Sequence, residues 1–413
     1  MIILGVHDGH DAGASIIKDG KIIAAVNEER LNRIKLYTGI PFLAIEKVLD
    51  IAKLKKEKID MIALSGTSGL MANIGWEKVS FKKKIYQEFA SHTPFASNIY
   101  FADLQRFIFN RIRNKTTEKY LKKNGFDCTI QYFDHHKCHA ATSYYASGKK
   151  ECLVFTTDGS GDGLSASVYH CKDGVMNKIK EIPTFHSVGY FYAYITLLFG
   201  FKMFKHEGKV TGLAALGNPN KCYSVFEKCF SFRNDSIKND LGLIGKPAYN
   251  YLKENLKAYS REDIASAVQK RLEDVVTKFV SYYINKTGIH DVALAGGVFA
   301  NVKLNQKIME LKEVNSVFIY PNMGDGGLAS GAAFNLYAEE MLNKGSSLKP
   351  YRLENIYFGP EYSNEEIEEE IKKQGLIKNA EFVKGIEKYT AELISKKKIV
   401  GHFNGRMEYG PRH

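Results

Sequence analysis

The chain has 413 residues, 44% hydrophobic and 25% charged, with a formal net charge of +12. That balance fits a globular protein of two or three domain-sized units, and no apolar run is long enough to cross a membrane. Lysines are spread out, with short clusters at 53–58, 82–84, 121–123 and 396–398. They read as a solvated surface or as a basic cleft for phosphorylated ligands. Nucleic acid is not expected, since no stretch resembles an RNA-stacking motif. The six cysteines show no CxxC spacing, which leaves reduced core thiols as the expectation.

Ile2–Val6 reads as a strand at the very start, with no signal peptide, so a cytoplasmic protein is expected. A Gly/Asp-rich turn (7–13), a strand (Ala14–Ile17), a Lys-Asp-Gly turn (18–20) and a third strand (Ile22–Val26) follow. Residues 66–116 read as a helical insert that could shape a substrate pocket. Cys128–Phe133 then suits a buried strand, Asp134 an N-cap, and an Ala-rich helix follows. His135 and His139 are four apart on that helix, so their rings share one face. The pair reads as polar surface, as a satisfied core pair, or as half of a metal site. Cys152–Thr157 is a second apolar strand. Asp158 is expected to leave it for a Gly-rich turn through Gly163, either as an ordinary turn aspartate or as a ligand. Leu164–Tyr169, the turn Lys172-Asp173-Gly174 and a further strand complete a copy of the amino-terminal pattern. Two such halves, at about 1–150 and 151–345, describe a duplicated α/β fold of the actin/hexokinase (ribonuclease H-like) type. In that fold two acidic loops face each other across a cleft where phosphate and metal bind.

Arg261–Asn285 has helical periodicity, and Asp291–Ala295 is a strand feeding Gly296, Gly297 and Asn301. Glycines at such a turn allow backbone amides to approach a nucleotide, or serve packing alone. A helix (Val302–Leu311) and a strand (Val317–Tyr320) precede a tight loop holding Asp325, either a ligand or a cap of the helix Leu328–Ala338. Residues 346–380 read as a linker containing a charged helix (363–375). Residues 381–413 hold an amphipathic helix (Lys384–Ser395) and a strand (Ile399–Phe403), too little to bury a core of their own.

In order, the chain contains Gly9-His10-Asp11, Glu28-Glu29-Arg30, Asp134-His135-His136 with His139, and Asp158-Gly159. His186-Ser187-Val188-Gly189-Tyr190, Glu207-Gly208-Lys209, Gly296-Gly297-Val298, Gly324-Asp325 and Gly405–Arg412 follow. This ordered set resembles the NodU/CmcH family of O-carbamoyltransferases along nearly the whole chain. The resemblance implies a carboxy-terminal YrdC-like domain that makes carbamoyl-adenylate from carbamoyl phosphate and ATP. It implies an amino-terminal domain that passes the carbamoyl group to a hydroxyl of a small molecule such as a sugar or antibiotic. It also implies Fe2+, or another divalent metal, held by His135, His139, Asp158 and Asp325. His10 would be a general base or orienting group beside Asp11, or a turn residue. Gly296, Gly297 and Asn301 would line the nucleotide. Glu207 and Lys209 would line the cleft, or form a surface pair. Arg406 and Arg412 resemble the first residues of the carbamoyl-phosphate and ATP site. The family continues beyond Gly-Pro-Arg, so residues 381–413 are expected to be the incomplete start of the YrdC-like domain, and adenylate would have to come from such a domain in trans. Alternatives are a relative of the tRNA threonylcarbamoyl-transfer proteins, which share the His-x-x-x-His pair, and an inactive fragment that only binds metal and nucleotide. The acceptor, the metal and the oligomeric state are not legible.

Overall fold

The computed structural model describes residues 1–66 and 116–411. The expected helical insert, apart from its two ends, and Arg412 lie outside the described residues. The first half contributes strands β1 (Ile2–His7), β2 (Gly13–Lys18), β3 (Lys21–Asn27), β4 (Met61–Ser65) and β5 (Thr129–Phe133). The second contributes β6 (Glu151–Gly161), β7 (Leu164–Lys172), β8 (Val175–Pro183), β11 (Asp291–Ala295) and β12 (Ser316–Ile319), with a small hairpin, β9 (Phe230–Arg233) and β10 (Ser236–Asn239), beside them. The first sheet runs β3-β2-β1-β4-β5 and the second β8-β7-β6-β11-β12. Both orders are third, second, first, fourth, fifth. In each sheet the first three strands are antiparallel and the last two lie parallel to the first. The expected duplication is therefore present strand for strand.

Turn chemistry sets these meanders. Asp19-Gly20, Asp162-Gly163 and Asp173-Gly174 take φ of 50° and 79°, 50° and 83°, and 49° and 85°. Two consecutive left-handed residues make the type I′ turn that matches strand twist. Asp158 does not leave the strand for a Gly-rich turn, because β6 continues to Gly161 and Asp162-Gly163 alone reverses the chain. Thr157 pairs with Ala166 and Gly161 with Leu164, so Asp158, Gly159 and Ser160 bulge opposite Ser165. A bulge re-aims side chains without ending the ladder.

The helix His135–Tyr145 follows β5 of the first sheet yet packs on β6, β7 and β11 of the second. The helix Leu328–Asn343 follows β12 of the second sheet and packs on β1, β2 and β4 of the first. The two helices lie against each other between the sheets, which explains why every residue of His135–Tyr145 except Lys137 is buried. Glycines permit the close approach. A Cβ on Gly331 would stand 2.1 Å from Cys138 O, and one on Gly5 2.0 Å from Ala329 O. Gly331→Ala is therefore expected to destabilise the fold by about 1–3 kcal/mol, as overpacking does, measured as a lower urea midpoint at unchanged slope. Five of the six cysteines are buried and all six are free thiols, in line with the sequence reading.

The carboxy-terminal part departs from expectation in two places. Residues 346–360 do not behave as a linker. Tyr351 N donates to Tyr145 O at 2.9 Å, Leu353 N to Ala146 O at 3.0 Å, and Ala25 N to Phe358 O at 3.1 Å. Leu348 and Phe358 join the core between the sheets. The strand expected at Ile399–Phe403 is absent, and both of those side chains are largely exposed. A strand needs a partner ladder, and none lies beside this segment among the described residues. The helices Asn364–Lys373 and Ile386–Ser395 form as expected but bury no side chain.

Candidate metal centre

The exchange of helices between sheets brings four segments to one point. Asp134 caps the His135–Tyr145 helix by accepting from Lys137 N at 2.9 Å. Asp162 Oδ2 accepts from His135 N at 2.8 Å, fixing the same first turn from the β6–β7 hairpin. One turn apart, His135 and His139 then aim both Nε2 atoms at the bulge of β6. The Nε2 atoms are 3.1 Å apart. Asp158 Oδ2 lies 3.1 Å from His139 Nε2 and 3.7 Å from His135 Nε2. Asp325 Oδ1, from the loop after β12, lies 3.4 and 3.5 Å from the same two atoms. One ligand atom from each of the four residues falls within 4.8 Å of every other. Ligands about 2.0–2.1 Å from one ion in tetrahedral geometry stand about 3.3–3.4 Å apart, so the spacing fits a shared divalent cation. Two neutral-capable imidazoles with two carboxylates suit Fe2+, Zn2+ or a similar ion by donor chemistry.

Electrostatics agree with that fit. Burial disfavours a charged His135, but Asp325 and Asp158 outweigh it and raise its imidazole to about 9. Burial would lift the Asp158 carboxyl, but hydrogen bonds from His135 and His139 hold it well below the usual carboxylate range. A cation replaces the protons that this cluster otherwise collects. The surroundings hold two of these donors, Asp158 and His135, in place. Asp158 Oδ1 accepts from Gly159 N at 2.6 Å, and Oδ2 from Gly297 N at 3.3 Å. A Cβ on Gly161 would lie 2.1 Å from His135 Cδ2, so only glycine leaves room for that ring. His136 points away from the cluster. It is buried, and its Nδ1 pairs with Thr156 Oγ1 at 2.8 Å.

The other sequence candidates surround this cluster unevenly. His10 Nδ1 lies 3.3 Å from Asp11 Oδ2. Burial opposes a charged His10, but Asp11 by hydrogen bond and charge, with the fields of Asp325 and Asp158, raises it to about 9. A cation neutralising Asp158 and Asp325 would remove two of those fields. Glu207 Oε1 accepts from Phe204 N at 2.7 Å; burial raises its carboxyl, and the charge of His10 reaches it from the other half. Glu207 is half-buried at the start of the helix Glu207–Ala214. Lys209 is exposed, with Nζ 4.9 Å from the Phe201 ring centre. Gly296 has φ +101° and abuts Thr157, so backbone packing demands glycine there. Asn301 caps the helix Val302–Met309 and exchanges amide bonds with Gln269 at 2.8 and 3.2 Å. Arg406 gives Nε and Nη2 to the carbonyls of Gly359 and Phe358, both at 3.1 Å, which clamps the 405–410 segment to the main body. Sequence reading overlooked Asp162, Gly161 and Thr156. The Asp-Gly hairpin signal was the only hint of the first.

His186 is buried in the second half. Its Nδ1 accepts from Asn239 N at 3.1 Å. Burial first, then Lys238 and Arg233, lower its pKa to about 4, against a raising effect of Asp240. The unfolded chain therefore binds this proton more readily, near 6.5, than the folded one. Stability from this group is complete above about pH 6.5 and is lost as pH falls toward 4, by up to about 3 kcal/mol. Between pH 7 and 4, the urea midpoint of His186→Gln is expected to fall less than that of the unmodified protein.

The chain is similar in sequence to several known proteins. Residues 2–334 match the family described as "Carbamoyltransferase N-terminus". MJ1051 of Methanocaldococcus jannaschii, an uncharacterized protein, is 32% identical over 424 residues, covering 100% of this chain and 71% of that protein. MJ1058 of the same organism, also uncharacterized, is 34% identical over 328 residues, covering 74% of this chain and 53% of that protein. The nodulation protein NolNO of Sinorhizobium fredii is 28% identical over 409 residues, covering 98% of this chain and 57% of that protein. The chain thus spans about half to seven-tenths of these relatives' lengths. With the family matched across both duplicated halves, the chain belongs to the carbamoyltransferases, in their amino-terminal module.

Proposed function

We propose that this chain transfers a carbamoyl group from carbamoyl-adenylate to a hydroxyl of a small-molecule acceptor. The observation that carries the reading is the meeting of His135, His139, Asp158 and Asp325 within 4.8 Å of one another in a chain of the carbamoyltransferase family. A divalent ion held by these four would act as a Lewis acid toward the carbamoyl oxygen and as a template for the donor phosphate.

This chain's residues do the rest. The acceptor oxygen forms its bond to the carbamoyl carbon, the carbon–oxygen bond to the phosphate breaks, and AMP leaves with that oxygen. With an ion neutralising Asp158 and Asp325, two of the fields that hold His10 protonated are removed; the neutral ring, its Nδ1 facing Asp11, would then take the acceptor proton on Nε2. Gly296, Gly297 and Asn301 border the nucleotide at the end of β11, and the helix of Glu207 and Lys209 lies on the same half, joined to Asn301 through Thr211, Tyr192 and Gln269. Arg412 belongs to the carbamoyl-phosphate and ATP side of the reaction, which a YrdC-like domain serves, while Arg406 holds the adjoining segment in place.

The test supplies Fe2+-loaded protein with a YrdC-like domain, carbamoyl phosphate, ATP and a panel of sugar and aminoglycoside acceptors. The reading predicts acceptor-dependent AMP release and a product heavier by one carbamoyl group. AMP release that never depends on acceptor contradicts it.

A further inference from the structure

The loop that carries Asp325 is held from an unexpected place. Tyr409 lies far along the chain, in the 405–410 segment, and its hydroxyl donates to the carbonyl of Gly326, the residue next to Asp325. Tyr409 is only 2% exposed. The same Gly326 carbonyl accepts from Asn27 Nδ2 at 3.1 Å, and Asn27 Nδ2 also reaches Asp11 O at 3.1 Å. Asn322 Nδ2 donates to Asn27 Oδ1 at 3.0 Å. Gly326 sits so tightly among these amides that a Cβ would lie 2.8–2.9 Å from Asn322 and Asn27. The Tyr409 backbone is itself anchored, with its N–H on Ile356 O at 2.8 Å. Arg406 and Met407 tie the same segment to Phe358, Gly359 and Pro360.

We infer that Tyr409 is a positioning residue for the metal centre. By fixing the Gly326 carbonyl, it sets the aim of the Asp325 carboxylate and couples the docking of the 405–410 segment to the competence of the site. Asn27 carries the same constraint to the His10–Asp11 loop. The chemistry is that of an outer hydrogen bond orienting a ligand loop, whose loss costs metal affinity without removing any ligand. This inference rests on the metal reading proposed above.

The experiment titrates Co2+ into the full chain and follows both affinity and the visible absorption bands, which report ligand geometry. Tyr409→Phe keeps the ring and removes only the hydroxyl. It is expected to weaken Co2+ binding about 10–100-fold and to change the band intensities, as Asp325 loosens. Leu252→Ala is the control for general destabilisation, since Leu252 is buried in the other core, away from the site. It should lower Tm and leave the Co2+ affinity and bands unchanged. Unmodified protein that binds Co2+ while Tyr409→Phe matches it in affinity and bands would overturn the role of Tyr409 alone. A Leu252→Ala protein with the same Co2+ defect as Tyr409→Phe would also overturn it, by showing that lost stability suffices. Unmodified protein that takes up no Co2+ would overturn the metal reading and this inference together.

Discussion

His139→Ala is expected to abolish stoichiometric metal binding and to reduce carbamoyl transfer on the order of 1,000-fold. That ring is 1% exposed, and its Nε2 is the atom that the other three donors approach most closely as a set, at 3.1, 3.1 and 3.4 Å. Removing it leaves His135, Asp158 and Asp325 with a buried gap that the helix cannot close. Lewis-acid assistance is worth several kcal/mol, and each 1.36 kcal/mol is tenfold in rate. Metal content by atomic emission, together with AMP release, measures both effects. His170→Ala is the matched control. His170 lies on β7 and pairs with Glu151 at 2.8 Å, apart from the four-residue cluster. It should leave metal content and rate within about twofold, because partly exposed ion pairs contribute little.

Gly161→Ala is expected to weaken metal binding about 10–100-fold with all four ligands still present. The added Cβ would stand 2.1, 2.3 and 2.4 Å from Cδ2, Cγ and Nε2 of His135. No rotation about χ2 clears a contact with the ring carbon that anchors it, so the ring or the hairpin must shift. Forced shifts of this kind cost about 1–3 kcal/mol. The displacement is expected as a loss of Co2+ affinity alongside a modest fall in Tm. Gly401→Ala is the comparison, since a Cβ there meets nothing within 4 Å. Equal Co2+ affinity in Gly161→Ala and the unmodified protein would show that His135 does not need its present position.

The parts of this architecture that depend on short-range chemistry were legible in the sequence. The Asp-Gly hairpins, the Asp134 cap and the apolar strands are local signals, and they placed both meanders. The His135–His139 spacing put two imidazoles on one face before any fold was known. Asp158 and Asp325 read as candidate ligands at strand ends, and the resemblance joins them to that pair. What sequence could not carry was long-range. The bulge after Thr157 arises because Asp162-Gly163 forms the tighter turn, and no periodicity distinguishes that from a turn at Asp158. The exchange of the His135–Tyr145 and Leu328–Asn343 helices between sheets is a tertiary fact, and it alone makes Cys138 a neighbour of Gly331. Tyr409 reads as one aromatic in a polar tail, although it donates to a carbonyl 83 residues earlier. The strand expected at 399–403 failed for a related reason. Its apolar residues Ile399, Val400 and Phe403 suit a strand, but composition does not supply the neighbouring ladder.

The central claim is that one divalent ion binds where the two halves meet. Anomalous diffraction at the iron edge, from crystals of the full chain grown with Fe2+, tests it most directly. A single strong peak is expected about 2.0–2.3 Å from His135 Nε2, His139 Nε2, Asp158 Oδ2 and Asp325 Oδ1. Iron bound elsewhere on the chain, with no peak among these four atoms, would contradict it.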